Sequence, residues 1–130
     1  YLMKRYWQSR VSFSFPRLRP ACKVEREKFS HLVSDKELVQ MVLALRLCFA
    51  DAGMNMSTRE SGSLRNELVQ LGITRMSAGS RTDVGGYSGH DHSKGQFEIE
   101  DSRSPKEIAA MIRSKGFEAV WKDWDASFTE

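Results

Sequence analysis

The chain has few cysteines, prolines and histidines. Its 130 residues include two cysteines, three prolines and three histidines. Two cysteines as far apart as Cys22 and Cys48 exclude a disulfide-dense scaffold and fit no metal or redox spacing. We therefore expect two free thiols in a reducing, cytoplasmic setting, with a disulfide between them as the less favoured alternative.

The chain also lacks a long apolar run. No stretch of about 18 apolar residues is present, so the sequence predicts no membrane span and no membrane partner. The first ten residues have none of the pattern of a secretory signal. Tyr1 is not an initiator, and the chain opens within a helix-like stretch, so we expect the numbering to start inside a longer reading frame.

Positive charge is not concentrated enough along the chain to indicate nucleic-acid binding. The net charge is +3, and the basic excess lies near the N-terminus. These basic residues form no continuous block with interleaved aromatic residues, so no nucleic-acid partner is expected. An apolar content of 40% is enough for one compact domain with a real core.

The periodicity of apolar residues alternates between strand and helix patterns up to about residue 80. Val11 to Phe15 alternates as a strand does, with one face of aromatic residues and one of hydroxyls. Two capping boxes, Ser34 to Glu37 and Ser104 to Glu107, predict helix starts. The other predicted elements are a nearly all-round apolar, deeply buried helix to about Asp51, a strand over 54–58, a helix over 63–71 and a strand over 73–77.

Alternating strands and helices with short connections indicate a parallel sheet. The predicted fold class is α/β, about the last three strands of a parallel (β/α)8 TIM-type barrel plus a C-terminal extension, because 130 residues are too few for a whole barrel. We divide the chain into strand–helix units over 1–80, a glycine-rich loop over 81–103, and a C-terminal helix and tail over 104–130.

Polar residues follow each predicted strand, where parallel barrels bind their ligands. Arg59 offers a guanidinium suited to a carboxylate, with a structural ion pair as the alternative. Ser77 and Ser80 flank a small Ala-Gly pair that lets a ligand approach closely, or they form a plain turn. Contacts to a cofactor are assigned to three residues after the first strand, namely Ser14, Arg17 and Arg19, with capping of acidic loops as the alternative for the two arginines.

Other chemistry has little support in the sequence. His90 and His92 sit in the glycine-rich loop without a third ligand at suitable spacing, so no metal site is predicted. No catalytic residue is assigned, because no nucleophile motif and no marked pair of carboxylates is present.

Several motifs in order resemble a known family. They are Ser12-Phe-Ser-Phe-Pro-Arg-Leu-Arg-Pro20, Ser57-Thr-Arg-Glu60, Met76-Ser-Ala-Gly-Ser80 with Gly85-Gly-Tyr87, Gln96-Phe97, and Val120-Trp-Lys-Asp-Trp-Asp125. Together they resemble the C-terminal part of the 2-iminoacetate synthases, tyrosine lyases of thiamine biosynthesis in the radical S-adenosylmethionine superfamily.

The resemblance implies a lyase that cleaves the Cα–Cβ bond of L-tyrosine to 2-iminoacetate (dehydroglycine) and p-cresol, with S-adenosylmethionine and a [4Fe-4S] cluster as cofactors. It also implies that Arg59 holds the substrate carboxylate and that Ser77 or Ser80 contacts the amino group. The family's Cys-x3-Cys-x2-Cys motif is not in this chain. By itself the chain is therefore expected to be inactive.

Three alternatives stay open at this point. The related tyrosine lyase of [FeFe]-hydrogenase maturation shares the substrate but adds a cysteine-bearing C-terminal domain. A tryptophan lyase of the same superfamily is more distant. A non-catalytic remnant that binds a partner, such as thiazole synthase, would need its strand edges covered by that partner or by self-association.

Overall fold

A parallel sheet lies at the centre of the computed structural model, which describes residues 1–18, 30–81 and 99–121. The order of its strands is β1-β2-β3, and both pairings are parallel. In the register, Ser14 lies opposite Asn55, and Asn55 lies opposite Arg75. The strands are β1 (Ser12–Ser14), β2 (Gly53–Met56) and β3 (Arg75–Met76).

Helices connect the strands in the order that the sequence predicts. The described helices are α1 (Leu2–Arg5), α2 (Asp35–Cys48), α3 (Gly62–Gln70) and α4 (Pro105–Ser114). Helix α2 lies between β1 and β2 along the chain, and α3 lies between β2 and β3, as parallel pairing requires. The mixed α/β prediction is confirmed for this sheet, although each strand is shorter than predicted. No helix in the described ranges is long and apolar enough to cross a membrane.

Both predicted capping boxes are present. At the start of α2, the Ser34 hydroxyl accepts a hydrogen bond from the Glu37 N–H at 3.3 Å, and the Glu37 carboxylate accepts one from the Ser34 N–H at 2.8 Å. Ser104 and Glu107 repeat this arrangement at the start of α4. These bonds satisfy backbone donors that the first turn of a helix leaves unpaired, so they fix where each helix begins.

The core lies between one face of the sheet and helices α2 and α3. Met54 and Met56 point to the same side of β2, and they pack with residues of both helices. The buried members of this cluster are Phe15, Leu38, Val42, Met54, Met56, Leu68 and Ile73.

The prediction that α2 is buried on nearly all sides was wrong. Leu38 and Val42 are its buried residues, whereas the Leu47 side chain is 86% exposed. A sheet of three short strands can cover only one stripe of a helix, so the remaining apolar residues of α2 face away from it.

The opposite face of the sheet is polar. Ser12 and Ser14 alternate with the half-buried Phe13, so the hydroxyl-lined face predicted for the first strand is confirmed. Asn55 and Arg75 continue the row of Ser14 across the sheet on this face. The sheet is therefore apolar toward its helices and hydrophilic on its other side.

Truncation of a buried leucine of α2 should destabilise the fold far more than truncation of an exposed one. We expect Leu38→Ala to lower the free energy of unfolding by about 2 to 5 kcal/mol, because it leaves a cavity beneath the sheet. Leu47→Ala, in the same helix, should change it by no more than about 0.5 kcal/mol. Urea denaturation followed by circular dichroism measures both, and equal losses would contradict the described packing.

Candidate functional site

A cleft of about 610 Å³ opens on the polar face, over the carboxyl ends of the three strands. It brings together three residues singled out from the sequence, Ser14, Arg59 and Ser77. The complete lining is Ser14, Phe15, Pro16, Asn55, Met56, Ser57, Arg59, Arg75 and Ser77. Carboxyl ends of parallel strands are where ligands bind in α/β proteins, so this cleft is the candidate site.

The backbone around Arg59 is held on both sides. The carbonyl of Thr58 accepts hydrogen bonds from the N–H groups of Glu100 at 3.2 Å and Asp101 at 3.1 Å. Thr58 and Glu60 are 4% and 1% exposed, while Arg59 between them is half-buried and lines the cleft. Anchoring of both neighbours restricts the positions that the Arg59 guanidinium can take.

Arg17 anchors the end of β2 from the other side. Its guanidinium forms a two-pronged ion pair with the Glu60 carboxylate, in which Nε lies 3.1 Å from Oε1. It also contacts the Asp35 carboxylate at 2.8 Å and the Val33 carbonyl at 3.0 Å. The hydrogen bond with Glu60 raises the pKa of Arg17.

Arg17 is itself buried, is paired with the buried Glu60 and the exposed Asp35, and is not among the residues that line the cleft. The cofactor contact predicted for it from sequence stays a prediction. Arg19, which was given the same role, lies outside the described residues.

A second buried cluster fixes the end of β3. Arg65 of α3 is 0% exposed, and its guanidinium pairs with the Asp101 carboxylate and donates to the Ser77 carbonyl. Arg103 completes the cluster through Nε, 2.8 Å from Asp101 Oδ1. Ser77 is therefore tied by its backbone to α3 while its side chain faces the cleft.

The charges of this cluster shift one another's proton affinities. Hydrogen bonds from Arg103, and then the charge of Arg65, hold the pKa of Asp101 at about 2. Burial lowers the pKa of Arg65 against the opposing pull of Asp101. Asp101 therefore stays a carboxylate across the neutral range and balances two guanidinium groups.

The inner part of the cleft is a polar row across the sheet. The Asn55 amide nitrogen lies 3.3 Å from the Ser14 hydroxyl and 3.4 Å from the Ser12 hydroxyl. The Asn55 carbonyl oxygen is buried and accepts no hydrogen bond from the residues that the structure describes. The row of Ser12, Ser14 and Asn55 therefore lacks one hydrogen-bond donor. A buried acceptor without a donor costs roughly 1 to 3 kcal/mol.

Sequence reasoning missed Asn55 and Arg75, and it included Ser57 only as part of the polar cluster after the second strand. The signal for Asn55 was available in the alternation of Met54, Asn55 and Met56. Because Met54 and Met56 face the core, the residue between them faces the other side of the sheet. The same alternation places Arg75 and Ser77 on one side of β3. The charged side chains of the lining are therefore two arginines, which favours a ligand with anionic or hydrogen-bond-accepting groups.

Ser80 lies elsewhere. It is half-buried, is not among the lining residues of the cleft, and follows Gly79, whose N–H donates to the Arg103 carbonyl at 3.0 Å. Gly79 has a φ of +60°, so the chain turns away just after Ser77. Contact of Ser80 with an amino group stays a prediction, and Ser77 is the serine that the cleft contains.

The residues that the structure describes do not fit an iron–sulfur cluster. Cys48 is exposed at the end of α2 with a free thiol, and Cys22 lies outside the described residues. Within the described ranges, no group of three or more His, Cys, Asp or Glu side chains is placed to hold a metal ion. His90 and His92, which the sequence analysis considered as metal ligands, fall outside those ranges.

A family model and two curated relatives match this chain. It belongs to the Biotin and Thiamin Synthesis associated domain family, whose model matches residues 14–118. It is 41% identical, over 126 residues, to the 2-iminoacetate synthases of Escherichia coli K12 and Salmonella typhimurium LT2. The match covers 97% of this chain and 33% of each relative, so the chain spans about a third of their length. The resemblance found in the motifs is confirmed.

Two solved structures are also similar. A crystal structure of HydG, a maturase of the [FeFe]-hydrogenase, matches with 40% identity and a TM-score of 0.78, over 89% of this chain and 25% of that one. HydG from Carboxydothermus hydrogenoformans matches with 38% identity and a TM-score of 0.69, over 90% and 26%. The arrangement of strands and helices is therefore shared with the hydrogenase maturase.

The Asp101 cluster should make the stability of the fold decrease at acid pH. The folded pKa of about 2 lies below the ordinary value of 3.8, so the unfolded chain binds more protons as the pH falls. Stability from this group is complete above the ordinary pKa and is lost as the pH falls from about 4 toward 2. Asp101→Asn should remove this dependence and lower stability by about 3 kcal/mol, because Arg65 loses its charged partner.

Urea denaturation at several pH values between 2 and 7 measures this effect. Asp51→Asn is the matched control, because Asp51 is exposed in the turn after α2. If the two variants had the same stability and the same acid profile, the Asp101 cluster would not hold the fold in the way described.

Proposed function

We propose that this chain is the C-terminal part of a radical S-adenosylmethionine lyase that cleaves the Cα–Cβ bond of L-tyrosine to 2-iminoacetate and p-cresol for thiamine thiazole biosynthesis. The cleft is the observation that carries the proposal, because it joins Arg59 and Ser77 at the carboxyl ends of parallel strands. The family membership and the identity to 2-iminoacetate synthases support it.

The polar face of the sheet supports the barrel part of the proposal. Parallel sheets are stable when both faces are covered, and here the helices α2 and α3 cover one face. Among the described residues, no further strand pairs with the outer edges of β1 and β3. In the proposed (β/α)8 barrel, the rest of a longer polypeptide supplies the missing strands, and the polar face becomes the interior wall.

Under this proposal the cleft orients an amino acid. The Arg59 guanidinium holds the carboxylate through paired, charge-assisted hydrogen bonds. The Ser77 hydroxyl accepts a hydrogen bond from the amino group, and Ser14 faces the same space from β1. Fixing both polar ends of the zwitterion leaves its reacting bonds in one orientation, which is the main contribution that positioning makes to such a reaction.

The cofactors belong to the rest of the proposed polypeptide. S-adenosylmethionine and a [4Fe-4S] cluster supply the radical chemistry in this superfamily, and the cluster needs thiolate ligands. The cysteines of this chain do not fit that need, so we propose that the chain binds substrate and is inactive alone. A cytoplasmic location and a partnership with thiazole synthase stay predictions of the same proposal.

The tyrosine lyase of [FeFe]-hydrogenase maturation is the second candidate. The similarity of this fold to HydG, with a TM-score of 0.78, favours it. The same cleft would serve the same substrate in that enzyme, so the residues of this chain do not separate the two. A cysteine-bearing domain downstream in the natural reading frame would favour the maturase over the thiamine enzyme.

The upstream reading frame tests the proposal first. We expect a Cys-x3-Cys-x2-Cys motif in frame before Tyr1, and p-cresol release from L-tyrosine by the complete polypeptide under anaerobic conditions with S-adenosylmethionine and a reductant. A start codon just before Tyr1, with no such motif, would instead indicate a remnant that performs no radical chemistry.

Loss of the Arg59 guanidinium should weaken substrate binding in the complete polypeptide. We expect Arg59→Ala to reduce L-tyrosine affinity by about 1.5 to 3 kcal/mol, because a charge-assisted bond to the carboxylate is lost. Arg113→Ala, on the exposed side of α4, is the matched loss of one positive charge outside the cleft. Equal affinities of the two variants, measured by calorimetry, would remove the role proposed for Arg59.

A further inference from the structure

We infer that Arg75 is the residue of the cleft that recognises the polar group at the far end of the ligand from its carboxylate. The inference rests on the proposed function, in which that group is the phenol oxygen of L-tyrosine. Arg75 would then determine specificity for a hydroxylated ring over a plain one, while Arg59 holds the carboxylate common to all amino acids.

The register of the sheet places the two arginines at different depths. Arg75 lies opposite Asn55, at the first position of β3. Arg59 lies four residues beyond Asn55 along the chain, past the end of β2. At about 3.3 Å per residue the separation along the strand direction is at most about 13 Å, and less because the chain turns there. Both arginines line one cleft, so a single elongated ligand can meet both.

The remaining lining suits an aromatic ring between two polar ends. Pro16 provides apolar surface there, whereas the side chains of Phe15 and Met56, which also border the cleft, pack in the core on the other face. At the inner end, the Ser14 hydroxyl accepts from Asn55, so its own hydrogen can be donated toward the cleft. A guanidinium group offers donors and no acceptor, so Arg75 suits an accepting oxygen. A ligand oxygen at this end can therefore accept from two residues of the lining, Ser14 and Arg75.

The ligand hydroxyl also supplies what the inner row lacks. The Asn55 carbonyl oxygen has no donor among the described residues, and a phenol carries one hydrogen to donate as well as an oxygen to accept. A small rearrangement of the Asn55 side chain would bring the two together. A site built to bond a hydroxyl rejects the analogue without it strongly, because the polar groups of the site are then left unpaired.

Paired affinities for two ligands test the inference in the complete polypeptide. L-tyrosine and L-phenylalanine differ only in the hydroxyl, and their dissociation constants can be measured with Arg75→Leu, Arg75→Lys and Arg59→Ala. We expect Arg75→Leu to weaken tyrosine binding by about ten- to a hundredfold and to leave phenylalanine binding within about threefold. Arg75→Lys should restore most of the preference, because it keeps a cationic donor.

The outcomes separate this inference from the proposed function. Arg59→Ala should weaken both ligands by the same factor, since both carry the carboxylate. If the unaltered protein prefers tyrosine but Arg75→Leu weakens both ligands equally, or neither, then Arg75 does not recognise the hydroxyl and the inference fails alone. If the unaltered protein binds neither amino acid, the proposed function and the inference fail together. Circular dichroism of Arg75→Lys and Arg75→Leu controls for unfolding.

Discussion

The buried carboxylate of Asp101 is the group on which the geometry of the cleft depends. Its side chain balances the guanidinium groups of Arg65 and Arg103, and its backbone N–H donates to the Thr58 carbonyl at the end of β2. Arg65 in turn reaches the Ser77 carbonyl at the end of β3. One residue from a loop thus joins helix α3 to two strand ends, and a change there would displace both walls of the cleft at once.

A second charged pair anchors the cleft from the side of β1. Arg17 follows β1, and its partner Glu60 follows β2. A buried ion pair adds little net stability relative to apolar packing, but breaking one is costly because it strands the other charge. Such pairs therefore favour one arrangement over its alternatives. Here that arrangement presents Arg59 and Ser77 from anchored backbone, which suits a site that must hold a small ligand in one orientation.

Local sequence patterns predicted much of this structure, but they could not predict contacts between residues that are far apart in the chain. Both capping boxes and the order of elements follow from residues three or four apart, and the serine face of β1 follows from simple alternation. The pairing of Arg65 with Asp101 joins residues 36 apart, and nothing in either neighbourhood marks it. The depth of Arg75 depends on the register with Asn55, which no single strand encodes. The apolar pattern of α2 overstated its burial, because that pattern does not show how much of the helix the sheet is wide enough to cover.

The polar face of the sheet connects the fold with the proposed chemistry. In β2 methionine alternates with asparagine, and in β1 phenylalanine alternates with serine, so one face of each strand buries no apolar side chains. The polar side chains on that face need hydrogen-bond partners. In an enclosed barrel those bonds come from neighbouring strands and from ligand, and water contributes little. In the proposed barrel the unsatisfied Asn55 oxygen has a simple origin, because the described residues provide only part of the enclosure. Under the proposed function the same division applies to the chemistry: this chain orients the substrate, and the rest of the longer polypeptide supplies the cofactors.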